Sequence, residues 1–172
     1  MSSSKLHDSK SILGKNESSG YISSPLIQIE AVQDLFHSEI DFVDFLQKLS
    51  PHLKYLDFQK LVKLHKTIRD ELADIVHGNE VIGIVNLLKS MIPRLVVAAR
   101  DTIHECQLHI LQYDDTNSKK LINFVWNRLT EYPKLLVEIK NQLELSDADI
   151  EDIENCCKQF RFMIIDLHVL CQ

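Results

Sequence analysis

Asn127-Arg128-Leu129-Thr130-Glu131-Tyr132-Pro133-Lys134-Leu135-Leu136 places a proline inside a stretch that otherwise reads as one long amphipathic helix. Leu121, Ile122, Val125, Leu129, Leu136 and Ile139 are its apolar positions, and the pattern predicts a helix from about Ser118 to Leu143. A proline there removes a backbone donor and clashes with the preceding turn, at a cost of about 3 kcal/mol. A chain that keeps it needs the surrounding fold to hold a kinked helix in place. This stretch therefore sets the expectation of an all-α protein built on packed helices.

The flanking sequence agrees. Ile150, Ile153, Cys157, Phe160, Ile164, Leu167 and Cys171 alternate steps of three and four, which predicts a last helix with a straight buried seam. Ser146 and Asp149 supply an S-x-x-D start signal for it. A first helix is expected from about Ile27 to Leu49, buried through Val32, Leu35, Phe36, Val43, Leu46 and Leu49, and stopped by Ser50-Pro51. A second is expected from Asp57, a suitable N-cap, to about Val76, with Leu61, Leu64, Ile68, Leu72 and Ile75 inside and Gly78-Asn79 as its stop. A third begins near Glu80 with Val81, Ile84, Val85 and Leu88. Pro93 predicts a break, a kink or a new start before Leu95, Val96, Ala99, Ile103, Cys106 and Ile110 resume the spacing. Asp114 to Asn117 reads as a turn cluster. No β-type alternation or internal repeat competes. The expected fold is an all-α, elongated bundle of about five or six helices.

Composition narrows the function. A chain of 172 residues with 45% hydrophobic and 26% charged residues suits one domain with a sizeable core. Four glycines and four prolines are too few for an all-β protein. A net charge of −6 argues against nucleic acid as the main partner and disfavours generic binding to anionic membranes. Lys60, Lys63, Lys66 and Arg69 form a local basic row, read as a solvated helix face. Residues 1–24 are Ser-rich and poor in large apolar groups, so they are expected to be a flexible tail ending at Ser24-Pro25, with residues 25–172 forming the bundle. No apolar run is expected to span a bilayer, and no signal-peptide core precedes the bundle, which gives a cytoplasmic expectation.

No residue set stands out for covalent chemistry. Cys106, Cys156, Cys157 and Cys171 contain no C-x-x-C pair and read as reduced thiols, with Cys157 and Cys171 on the buried seam. His104 and His109 are five apart, which turns the second by about 140° from the first, so they do not share a metal as histidines four apart do. No glycine-rich phosphate loop exists. The chain is expected to be a binding protein, with neither cofactor nor metal.

Three regions resemble one family in order and spacing, and a fourth, Leu61 to Leu72, agrees more weakly. The run from Asn127 to Leu136 resembles the Q-R-hydrophobic-x-[KR]-Y-P-L-L-L run on the central helix of Dbl-homology domains. Arg128, Leu129, Tyr132-Pro133 and Leu135-Leu136 match it. Ser38-Glu39-Ile40-Asp41-Phe42-Val43 is similar to the T-E-x-x-Y-V signature of the family's first helix, and Leu61 to Leu72 with His65 is similar to its second. Cys156, Phe160, Met163 and Leu167 fit the small and hydrophobic positions of its last helix. The resemblance covers about residues 28 to 172.

Dbl-homology domains are the exchange-factor modules for Rho-family small GTPases. The resemblance implies a signalling protein whose first, central and last helices form one surface against the GTPase switch segments. It implies that Glu39 contacts switch I, and that the residues at 131 and 168 add contacts. An exchange factor does no bond chemistry; it binds the nucleotide-free GTPase more tightly than the loaded form.

The departures fall at informative places. Asn127 stands where the family has Gln, Glu131 where it has a basic residue, Lys134 where it has Leu, and His168 where it often has Asn. Glu131 and Lys134 are spaced to pair at i, i+3. The Pleckstrin-homology domain that usually follows has no counterpart, so a fragment or a member working alone is expected. Glu39, Glu131, Lys134 and His168 are thus the expected GTPase-binding residues, on one exposed face. The alternative is a Dbl-like scaffold that binds a GTPase, a septin-like filament or another helical protein without exchange activity.

Overall fold

Helices account for the regular structure among the described residues, 29–54, 58–78 and 81–171 of the computed structural model. They are α1 (Glu30–Leu49), α2 (Gln59–Gly78), α3 (Val81–Tyr113), α4 (Thr116–Gln142) and α5 (Asp147–Leu170), with a short 3-10 turn at Ser50–His52 after α1. No strand occurs among these residues. The expected tail, the Ser24-Pro25 boundary, the Asp57 cap and Asn79 lie outside them.

Local chemistry sets the ends of these helices. Ser146 caps α5 by accepting from the Asp149 amide at 3.2 Å, and its hydroxyl donates back to the Asp149 carboxylate at 2.7 Å. The S-x-x-D signal therefore holds. Asp115 caps α4 by accepting from the amides of Asn117 and Ser118, both at 3.1 Å, and from the Ser118 hydroxyl at 2.7 Å. The chain turns between α3 and α4 at Asp114, whose φ of 49° lies in the left-handed region that aspartate tolerates better than most residues.

Both prolines sit inside continuous helices. α3 runs through Pro93 and α4 through Pro133. The break or new start expected at Pro93 does not occur. Pro93 is exposed, so the carbonyl four residues before it, which loses its donor, lies on the solvent side where water can take the bond. Pro133 is buried, and its own carbonyl accepts from the Cys157 thiol at 3.6 Å.

Packing makes two layers. α4 is flanked by α1 and α5, while α2 and α3 form the second layer, with α2 against α1 and α3 against both α4 and α5. α4 runs antiparallel to α1: the Ala31 amide donates to the Gln142 side chain at 3.1 Å at one end, and Phe45 stacks on Phe124 with ring centroids 3.7 Å apart at the other. It also runs antiparallel to α5, since Lys140 bonds Glu154 at 3.2 Å and Trp126 meets His168 edge-on at 6.1 Å. α3 and α5 are parallel, tied by Lys89 to Asp152 at 2.6 Å and by the Gln107 side chain to the Cys171 carbonyl at 2.6 Å.

Most expected core positions are inside, but Phe36, Ile75, Val81, Val96, Ile110, Ile122, Ile150 and Ile164 are only partly buried. Cys171 is also half-buried, at the frayed end of the seam, whereas Cys106, Cys156 and Cys157 are fully enclosed. One expectation about membranes is corrected. α3 contains an 18-residue window of mean hydropathy 1.7, long and apolar enough to cross a bilayer by length and composition. Its position explains that composition: it packs against α2, α4 and α5 and buries Ile84, Leu88, Leu95, Ala99 and Ile103 in the common core.

Candidate functional site

Glu39 is a fully buried carboxylate. It lies on the buried stripe of α1, one slot after Leu35 and one before Phe42, and has no exposed surface. Two other helices converge on its carboxylate. From α2, His65 Nδ1 meets Oε1 at 2.6 Å. From α4, Arg128 Nε and Tyr132 Oη donate to Oε2 at 2.9 Å and 2.8 Å, and Arg128 Nη2 bonds the same oxygen. A carboxylate only accepts, so His65 Nδ1 carries a proton in this contact.

Arg128 carries the network towards solvent. Its Nη1 donates to Ser38 Oγ at 2.7 Å and to Glu131 Oε2 at 2.8 Å. Four of the guanidinium's five donors are thereby engaged. Its central carbon sits 4.2 Å over the Tyr132 ring, and Phe42 meets the His65 ring edge-on at 4.5 Å. The buried polar groups are thus satisfied together, the condition under which such a network fixes a unique core arrangement.

Electrostatics follow from this geometry. Burial opposes the charge on Glu39, but His65 and Arg128 beside it, with hydrogen bonds from His65 and Tyr132, hold its carboxyl down to about 2. Burial also opposes the charge on Arg128; the carboxylates of Glu39 and Glu131 beside it outweigh it and keep the guanidinium ionised. Burial pushes the Tyr132 hydroxyl well above its usual value, so it is a neutral donor. Burial likewise pushes the Cys106 thiol up to about 11 and Cys156 up to about 12, which suppresses the thiolate a nucleophile needs.

The four residues expected at a partner surface divide. Glu39 is enclosed, contrary to its expected exposure, because it fills a core slot and neutralises Arg128. Glu131 is partly exposed beside it, at the rim of a cleft of about 280 Å³ between α1 and α4 lined by Ser38, Asp41, Phe124 and Arg128. The expected Glu131–Lys134 pair does not form. Glu131 turns back to Arg128, whose guanidinium is fixed within reach. Lys134 is exposed and lines a largely apolar groove of about 500 Å³ between α4 and α5, with Pro133, Val137, Arg161 and Ile164. His168 is exposed against Trp126 at the far end of the same two helices. Glu131, Lys134 and His168 therefore belong to the α1–α4–α5 layer, with Glu39 behind it.

Arg128, Tyr132 and His65 are partners of Glu39 that the sequence reading does not name, and Ser38 joins the network through Arg128. A signal existed. Glu39, His65 and Arg128 each occupy an apolar-stripe position of their own helices, between Leu35 and Phe42, Leu61 and Ile68, and Val125 and Tyr132. No group of three metal-ligating side chains occurs among the described residues. No known family model, curated protein or solved structure matches the chain.

Proposed function

We propose that this chain is a Dbl-like helical binding module that engages a Rho-family small GTPase through the outer face of α1, α4 and α5, and that Glu39 is a structural residue of it rather than a contact. One observation carries the reading: the three helices singled out by resemblance lie in one layer with α4 central, and the layer's outer side keeps an open apolar groove edged by Lys134 and Arg161. Next to that groove, α5 exposes Phe162, Ile165 and Val169 at 66%, 58% and 69%. These recur at i, i+3 and i+7, so they form one stripe, and an exposed apolar stripe on a charged protein marks an interaction surface.

Nucleotide exchange driven by Glu39 is disfavoured by the same geometry. The carboxylate would have to leave Arg128, Tyr132 and His65, stranding a buried guanidinium at a cost of about 3–5 kcal/mol. A partner would have to supply that energy in addition to opening its own switch segments. The reading without exchange, a scaffold, requires no such rearrangement.

Calorimetric titration with Rho-family GTPases, nucleotide-free and loaded, tests the proposal. Saturable binding that weakens on Lys134→Glu and on Phe162→Asp, both exposed positions, is the expected result. Absence of binding to any member in either state overturns it.

A further inference from the structure

The second layer carries a separate groove. It lies between α2 and α3, holds about 420 Å³, and is lined by apolar Leu64, Pro93 and Val97 and by three cations, Lys60, Lys63 and Arg94. Lys60 and Lys63 are exposed one turn apart on α2, and Arg94 is exposed on the facing helix. None of the three has an ion pair among the described residues, and Arg94 donates to the Met91 sulfur at 3.6 Å. No carboxylate lines the groove among the described residues, and Asp70 and Asp101, farther along the two helices, pair with Arg69 and Arg100 at 2.7 Å and 3.0 Å.

Three cations without an ion pair among the described residues, around one apolar trough, stand out on a chain of net charge −6. The rest of the surface repels an anionic partner, so a local cationic rim selects a partner small enough to meet the rim alone. We infer that this groove docks a short acidic amphipathic helix of a partner protein, with one or two apolar side chains over Leu64 and Val97 and carboxylates on Lys60, Lys63 and Arg94. Concavity favours such a helix over a flat anionic membrane, which would also face the whole net negative charge. The groove is on the α2–α3 layer, so this inference stands or falls independently of the GTPase-binding face.

The probe is a fluorescein-labelled helical peptide with leucines at i and i+4 flanked by glutamates. A control peptide carries glutamine at each glutamate. Anisotropy titration of the full chain should show saturable binding of the acidic peptide only. Raising salt from about 0.05 to about 0.3 M should weaken it. Combined Lys60→Glu and Lys63→Glu should reduce affinity roughly tenfold or more, with the helical circular dichroism unchanged. Val97→Glu, at a half-exposed position, should abolish binding through the apolar floor. Equal binding of both peptides, binding that ignores both variants, or no binding overturns the inference. So does binding only to phosphatidylserine vesicles, which would assign the cations to a lipid surface.

Discussion

Replacing Glu39 by alanine removes the group on which two other helices converge. Arg128 is left almost fully buried, keeping only Ser38 and Glu131 as acceptors. Breaking a buried pair from one side costs about 3–5 kcal/mol. The lowered carboxyl pKa, set by the same contacts, points the same way. A carboxyl moved from 4.5 to about 2 is stabilised in its charged form by about 3 kcal/mol. We therefore expect Glu39→Ala to lose about 4 kcal/mol, a large part of the roughly 5–15 kcal/mol of an ordinary domain. With a urea dependence of about 2 kcal/mol per molar, the unfolding midpoint falls by about 2 M. Far-ultraviolet circular dichroism and Trp126 fluorescence report it. The double variant Glu39→Leu with Arg128→Met removes both charges and should recover most of the loss, because the penalty comes from the stranded partner. A loss below about 1 kcal/mol for the single variant, or a double variant no better than the single, would refute the reasoning.

Further outcomes follow from the same geometry. Because the folded pKa of Glu39 is lowered, its contribution is full above about pH 4.5 and is lost as pH falls towards about 2; the urea midpoint should drop across that window in the native chain and less steeply in Glu39→Gln. Tyr132→Phe removes one donor to Oε2 and should cost about 1–2 kcal/mol in the same unfolding assay. Half-buried Cys171 should react first with a thiol reagent in the native protein, while Cys106, Cys156 and Cys157 wait for unfolding; four equal native rates contradict the packing. Ser146→Ala should cost about 1 kcal/mol through the lost α5 cap, measured by thermal unfolding.

Much of the architecture was legible in the residues. The α5 cap, the end of α1 before Pro51 and the stripes on every helix follow from spacing and capping chemistry. Of the outcomes Pro93 allowed, the break and the new start do not occur, because proline's local penalty says nothing of tertiary support; α3 packs against three other helices and continues through it. The site was harder to read. The resemblance puts Glu39 at a partner surface, whereas its register with Leu35 and Phe42 points inward. What turns such a residue inward is a cation and two donors on other helices, at positions 65, 128 and 132. Their meeting is a property of tertiary packing, not of any one helix. Glu131 illustrates the same limit: Lys134 and Arg128 are equally spaced from it along α4, and the anchoring of Arg128 by Glu39 decides between them.

Release of a fluorescent guanine nucleotide from Rho-family GTPases that bind the chain tests the central assignment most directly. With Glu39 acting as a structural residue, the release rate should stay at its intrinsic value with the native chain, even where binding saturates. Acceleration by the native chain that disappears in Glu39→Gln, with helical content and GTPase binding both retained, would contradict the assignment and make that carboxylate a working contact.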